Sequence, residues 1–201
     1  MTRLTVLFLG DSFVAGVGDP TALGWTGRLL AATHRPDRDL TGYVLGVRRE
    51  TSDDVLSRWE READVRLPGV GVGAVVVSFG VNDATLEDGR RRVPEDRTGD
   101  NLRRLVEGAR ARDLAVLVVG PPPIADDDVD ARLVALDAHL HVTAAAVDVP
   151  YVPTVGSLLD DPVWRAEVAA GDGAHPGAAG YARLAALVRP SWDALVEDLT
   201  A

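Results

Sequence analysis

The stretch "LTVLFLGDS", Leu4–Ser12, decides the fold. Leu4 to Leu9 is a short apolar run rich in branched residues. That pattern predicts a strand buried on both faces, as in a parallel sheet. The run stops on Gly10 and Asp11, which suit a tight turn. Ser12 is not needed for turning the chain, so its hydroxyl calls for another explanation.

Similar runs recur at Tyr43–Val47, Ala74–Phe79, Ala115–Val119 and, more weakly, Val149–Val152. Helical patterns lie between them. Thr51 with Asp54 reads as a capping box ahead of Val55, Leu56 and Trp59. Leu102, Leu105, Val106 and Ala109 share one helical face, and Leu133, Leu136, Leu140 and Ala144 share another. Leu184, Leu187 and Val188 mark a further helix, and Leu195, Val196 and Leu199 another. Pro190 is expected to separate these last two. Strands alternating with helices predict an α/β fold in which helices cover both faces of a parallel sheet. The acidic run around Asp126 to Asp128 reads as a solvated loop.

The chain has 201 residues, which suits one domain spanning residues 1–201. The formal net charge is -10. Binding a polyanion or an anionic membrane needs clustered positive charge, so neither nucleic acid nor membrane is expected as a partner. There is no cysteine, which removes disulfides, thiolate metal sites and a cysteine nucleophile. All 21 basic residues are arginine, so no lysine is present to form a Schiff base. No apolar run reaches the length of a membrane span. Only Arg3 precedes the first apolar run, which leads directly into the Gly-Asp-Ser turn. A cleaved leader would discard that turn, so a cytoplasmic protein is expected.

In open parallel sheets, ligands bind beyond the carboxyl ends of the strands. Ser12 leaves the first strand at that edge. "FGVNDAT" leaves the third, carrying Asn82 and Asp83. Downstream, "DGAHPGAAG" carries Asp172 and His175 in a tight loop, and Pro176 suits the first turn of the helix that follows. Together Ser12, His175 and Asp172 supply a nucleophile, a base and an orienting carboxylate. A serine hydroxyl attacks only when a base takes its proton. The backbone N–H of Ser12 and the side-chain amide of Asn82 are candidate donors to an oxyanion. His139 and His141 are two residues apart on an apparent helix and face different ways, so no metal site is expected there.

The ordered blocks "GDS", "GVND" and "DGAHP" resemble those of the GDSL-like or SGNH hydrolases, from residue 10 to residue 176. The resemblance implies a flavodoxin-like three-layer α/β/α sandwich with a five-stranded parallel sheet in the order 2-1-3-4-5. It implies a serine esterase that hydrolyses small carboxylic or thioesters through an acyl-serine intermediate, with no cofactor and no metal. It also implies Ser12 as nucleophile, His175 as base, Asp172 as its partner, and Asn82 in the oxyanion hole.

Two departures stand out. The first block reads Gly-Asp-Ser-Phe, an apolar exchange. After the second strand, where the family has Gly followed by Asp or Glu and Thr, this chain has Arg49 before Glu50 and Thr51. Gly46 lies three residues early, so Arg49 is favoured as the positional equivalent whose backbone N–H joins the hole. If that position needs positive φ, arginine brings strain. The Arg49 guanidinium either attracts an anionic group on the substrate or pairs with an acid such as Glu50 or Asp53. Trp25 and Arg48 are candidate substrate-lining residues, and Trp25 equally suits packing of the first helix.

Several readings stay open at this point. A thioesterase, a carbohydrate deacetylase and an acyltransferase would use the same centre. A non-catalytic flavodoxin-like binding module would explain the sheet but leave the His–Asp pair unused. No long insertion suggests a lid, so small soluble esters fit better than a lipid interface. The oligomeric state is not encoded in any motif.

Overall fold

In the computed structural model, which describes residues 3–67 and 72–201, five strands form one parallel sheet. They are β1 (Arg3–Gly10), β2 (Asp39–Gly46), β3 (Val72–Ser78), β6 (Ala115–Val119) and β7 (Tyr151–Val152). Between β3 and β6 a small antiparallel hairpin adds β4 (Leu86–Glu87) and β5 (Arg90–Arg91). The sheet order is β2-β1-β3-β6-β7, and every neighbouring pair is parallel. With the hairpin set aside, this is the expected 2-1-3-4-5 order.

Helices flank the sheet: α1 (Gly24–Thr33), α2 (Ser52–Arg66), α4 (Glu95–Arg110), α5 (Asp127–Ala146) and α8 (Ala178–Thr200) are the long ones. Shorter helices are α3 (Val81–Ala84), α6 (Val155–Leu159) and α7 (Pro162–Ala170). α1 packs on α8, while α2, α4 and α5 contact one another in series. Strands β1 and β3 are buried on both faces almost throughout, which is why their sequences are apolar without alternation. β2 is an edge strand and only half-buried, so its polar residues Asp39 and Thr41 are tolerated at its start.

Local sequence explains the starts of α2 and α5. Thr51 accepts the Asp54 N–H, and the Asp54 carboxylate accepts the Thr51 N–H, closing the expected capping box. The acidic run at Asp126 is not a loop. Asp126 caps α5 by accepting the Val129 N–H, and Asp127, Asp128 and Asp130 occupy its first turn. Negative charge there meets the positive end of the helix dipole, which makes a helix start more favourable than solvation alone.

Pro190 does not divide the last helix. α8 runs unbroken from Ala178 to Thr200. A proline inside a helix costs ~3 kcal/mol or more. Here the turns on either side are held by burial of Val188 and Trp192. The Trp192 indole stacks obliquely on Phe8 at 5.4 Å between centroids and donates to the Thr33 hydroxyl at 2.7 Å. Such anchors on both sides of the break outweigh a local preference for two helices.

The register brings three chain exits to one place. Gly10 pairs with Gly46 on one side and Ser78 on the other. The segments carrying Ser12, Arg49 and Asn82 therefore leave adjacent strands at the same edge. No helix among the described residues is long and apolar enough to cross a membrane.

Candidate active site

Ser12 sits in a tight turn after β1. The Ala15 N–H reaches the Asp11 carbonyl at 3.1 Å, and the Val17 N–H reaches the Ser12 carbonyl at 3.0 Å. The Asp11 carboxylate accepts the Phe13 N–H at 2.9 Å, an Asx-type link that shapes the turn. From 163 residues away, the His175 ring places Nε2 at 2.7 Å from Ser12 Oγ. Its Nδ1 lies 2.8 Å from Asp172 Oδ2. Asp172 Oδ1 also accepts the N–H groups of Ala174 and His175, at 3.0 and 2.9 Å. The carboxylate thus shapes the loop that carries its own partner.

Burial raises the Asp172 pKa. The His175 backbone N–H, the His175 ring and the Ala174 N–H outweigh it and hold the carboxyl well below the ordinary range. Asp172 is therefore ionised at neutral pH and can only accept. Nδ1 of a neutral His175 must then carry the ring proton, which leaves the Nε2 lone pair facing the Ser12 hydroxyl. The ring is walled by Phe13, 4.9 Å away between centroids. Gly18, at φ 89°, makes room for it: a Cβ there would stand 2.9 Å from His175 Cβ and 2.8 Å from the Pro176 carbonyl.

A second group of residues lies beside Ser12. Val47 to Glu50 form a turn in which the Glu50 N–H reaches the Val47 carbonyl at 3.3 Å. Arg49 occupies its third position at φ 67°, where glycine is favoured. For a side-chain-bearing residue this conformation costs about 1–3 kcal/mol and persists only when its surroundings hold it. Asn82, on α3, donates through Nδ2 to the Glu50 carbonyl at 2.9 Å and, at 3.3 Å, to Asp11 Oδ2. Burial pushes the Asp11 carboxyl up to about 7, and the nearby Asp83 and Glu50 carboxylates add to the rise while the Phe13 N–H opposes it.

A family model for the GDSL-like lipase/acylhydrolases matches residues 8–183. The chain belongs to that family. Solved structures with the same fold include a lipase/acylhydrolase from Enterococcus faecalis, 24% identical, with a TM-score of 0.71, covering 94% of this chain and 95% of that one. The acetylxylan esterase Axe2 from Geobacillus stearothermophilus is 20% identical, with a TM-score of 0.77, over 95% of this chain and 94% of that one. The psychrotrophic esterase EstA from Pseudoalteromonas sp., in a structure inhibited by monoethylphosphonate, is 18% identical, with a TM-score of 0.71, over 96% and 98%. No curated protein matches this sequence. Membership makes the protein a hydrolase of the GDSL type.

The family blocks predicted from sequence come together around Ser12, with three adjustments. Trp25 does not line a site. It is 0% exposed and packs edge-on against Phe8, 5.9 Å away between centroids, because α1 turns that face onto β1. Arg49 pairs with Glu87 of the hairpin at 3.6 Å, with its side chain 79% exposed, rather than with Glu50 or Asp53. Those two acids are taken by Arg58 and Arg97. Gly46 has a different role from a turn glycine. A Cβ there would overlap Ala15 N, so it lets β2 approach the Ser12 turn. Arg48 is exposed beside this turn, and its charge is felt at the Tyr181 hydroxyl.

Several supporting contacts were invisible to pattern reading. Asp19 is buried and accepts from the Thr21 N–H and hydroxyl, the Gly24 N–H and the Arg28 guanidinium, bracing the loop after Ser12. Tyr181 on α8 donates to the Val17 carbonyl at 2.7 Å. Asp83 accepts from the Ser52 N–H and the Thr98 hydroxyl, both at 2.8 Å, and so ties α3 to α2 and α4. Arg58 reaches back from α2 to the strand ends. Asp19 works within nine residues of itself, whereas Tyr181, Asp83 and Arg58 act across long sequence separations that no local spacing announces. Among the described residues, no group of three or more His, Asp or Glu side chains gathers as a metal site.

Proposed function

We propose that the protein is a serine esterase acting on small carboxylic or thioesters through an acyl-serine intermediate. The observation that carries this reading is the unbroken chain from Ser12 Oγ to His175 Nε2 at 2.7 Å and from Nδ1 to Asp172 at 2.8 Å. Ser12 Oγ attacks the carbonyl carbon while its proton passes to His175 Nε2. The carbonyl electron pair moves onto oxygen. The resulting oxyanion is met by the backbone N–H groups of Ser12 and Arg49 and by the Asn82 amide, whose long contact with Asp11 is the one it can exchange.

Collapse of this intermediate expels the alcohol or thiol, which takes the proton from His175. Water then attacks the acyl-serine with His175 as base, and a second collapse releases the acid and restores Ser12. The Asp172 carboxylate stabilises the imidazolium formed in each step. No step calls for a metal or cofactor.

The test is covalent labelling with a fluorophosphonate, read by intact mass, with Ser12→Ala in parallel. The expected result is one adduct on the parent and none on the variant, together with loss of turnover on p-nitrophenyl acetate. A folded parent that takes up no label would sink the reading and favour a non-catalytic binding module. A labelled enzyme that passes its acyl group to an added alcohol faster than to water would make it an acyltransferase.

A further inference from the structure

We infer that Arg58 is a positioning residue for the oxyanion side of the site: it clamps the Val47–Glu50 turn and thereby holds Arg49 in its left-handed conformation. The inference rests on the esterase reading above.

Arg58 lies in α2, away from Ser12 and His175 in sequence, yet its guanidinium joins three segments. Nε lies 2.9 Å from both carboxylate oxygens of Glu50, and Nη2 lies 2.6 Å from Oε2. The same Nη2 reaches the Leu45 carbonyl at 2.6 Å and the Gly10 carbonyl at 3.3 Å. The ends of β1 and β2 and the residue after Arg49 are therefore fastened to one rigid helix. Both side chains are mostly buried, 19% and 15% exposed, so solvent competes weakly for the pair. Glu50 in turn offers its carbonyl to Asn82 Nδ2 at 2.9 Å. One clamp thus sets both the Arg49 N–H and the Asn82 amide.

A turn with glycine at its third position would need little such help. Arginine there does, because its Cβ disfavours positive φ. The Arg92 guanidinium adds a second hold, reaching the Arg49 carbonyl at 3.0 Å from the exposed hairpin side. Arg58 is the more extensively bonded of the two attachments. A planar fork is required for this geometry, and an ammonium cannot reproduce it.

The experiment is a double-mutant cycle on the full chain, with kcat normalised to the sites labelled by fluorophosphonate at completion. Arg58→Met is expected to lower kcat about tenfold with KM within about twofold, since oxyanion donors act mainly in the transition state. Arg58→Lys is expected to recover less than half of that loss on a logarithmic scale. In an Arg49→Gly background, the same Arg58→Met change is expected to cost less than about threefold, because glycine holds the turn unaided. Glu50→Gln keeps the side-chain volume and is expected to reproduce both the loss and its rescue if Arg58→Met folds poorly. Arg66→Met, which removes an ion pair further along α2, is the control and is expected to stay within about twofold.

Equal losses in the parent and in the Arg49→Gly background would overturn the clamp while leaving the esterase reading intact. So would a kcat change below about twofold for both Arg58→Met and Glu50→Gln. Turnover that survives in Ser12→Ala would overturn the esterase reading and the clamp with it.

Discussion

Ser12, His175 and Asp172 meet through side chains, whereas Arg49, Glu50 and Asn82 meet through main chain and a borrowed guanidinium. The first group is held largely by its own loops. Asp172 bonds the backbone that carries His175, and Asp11 bonds the backbone that follows Ser12. The second group contains a non-glycine residue at positive φ and depends on Arg58, Asp83 and Arg92 from elsewhere. Groups that exchange protons can be specified by residue type at a loop. Groups that offer backbone N–H must be specified by conformation, and conformation is set by whatever packs around the turn.

That contrast can be broken most sharply from the base side. His175→Ala is expected to lower kcat by at least ~10⁴-fold, measured on p-nitrophenyl acetate, since it removes the proton acceptor altogether. A loss below about a hundredfold would mean that another base serves Ser12. From the other side, Asn82→Ala removes one donor of the proposed hole. Its expected cost is ~10²- to 10³-fold in kcat, with a much smaller change in KM. If KM alone changed, Asn82 would be a binding contact and the two regions would not divide the work as described.

Asp11 belongs to both regions, so its titration sharpens the comparison with the smallest effect. Its folded-state pKa is raised from 3.8 to about 7. The folded chain holds this proton more tightly than the unfolded chain does. Its contribution to stability is therefore present below about pH 4 and lost as pH rises through about 7. Asp11→Asn removes that dependence while keeping an acceptor for the Phe13 N–H. Thermal unfolding is expected to show the variant gaining on the parent between pH 4 and pH 8, by on the order of 2 kcal/mol once relaxation around the charge is allowed for. A gap that does not change with pH would show that Asp11 is ionised throughout.

The apolar runs ahead of Gly10, Phe79 and Gly120 were enough to read a doubly covered parallel sheet, because a strand buried on both faces needs no alternation. The residues brought together around Ser12 were legible for a related reason. Hydroxyl, amide and carboxylate are each ordinary turn chemistry, but their joint placement with an imidazole at sheet-edge turns is not explained by turning the chain. Trp25 was ambiguous, since an aromatic in the first helix suits a pocket or a core equally well. Only the facing of α1 onto Phe8 resolved it. The acidic start of α5 misled because capping and solvation use the same residues.

By itself, then, the sequence determined the layer order, the edge at which chemistry gathers and the side chains offered there. These follow from hydrophobic period and residue type, which are local properties. Tertiary structure decided that α8 runs through Pro190, that Trp25 is core, that Arg49 takes a left-handed turn and that Arg58 spans to Leu45 and Gly10. Those outcomes depend on burial and on hydrogen bonds between residues far apart in the chain, and such contacts leave no period to read.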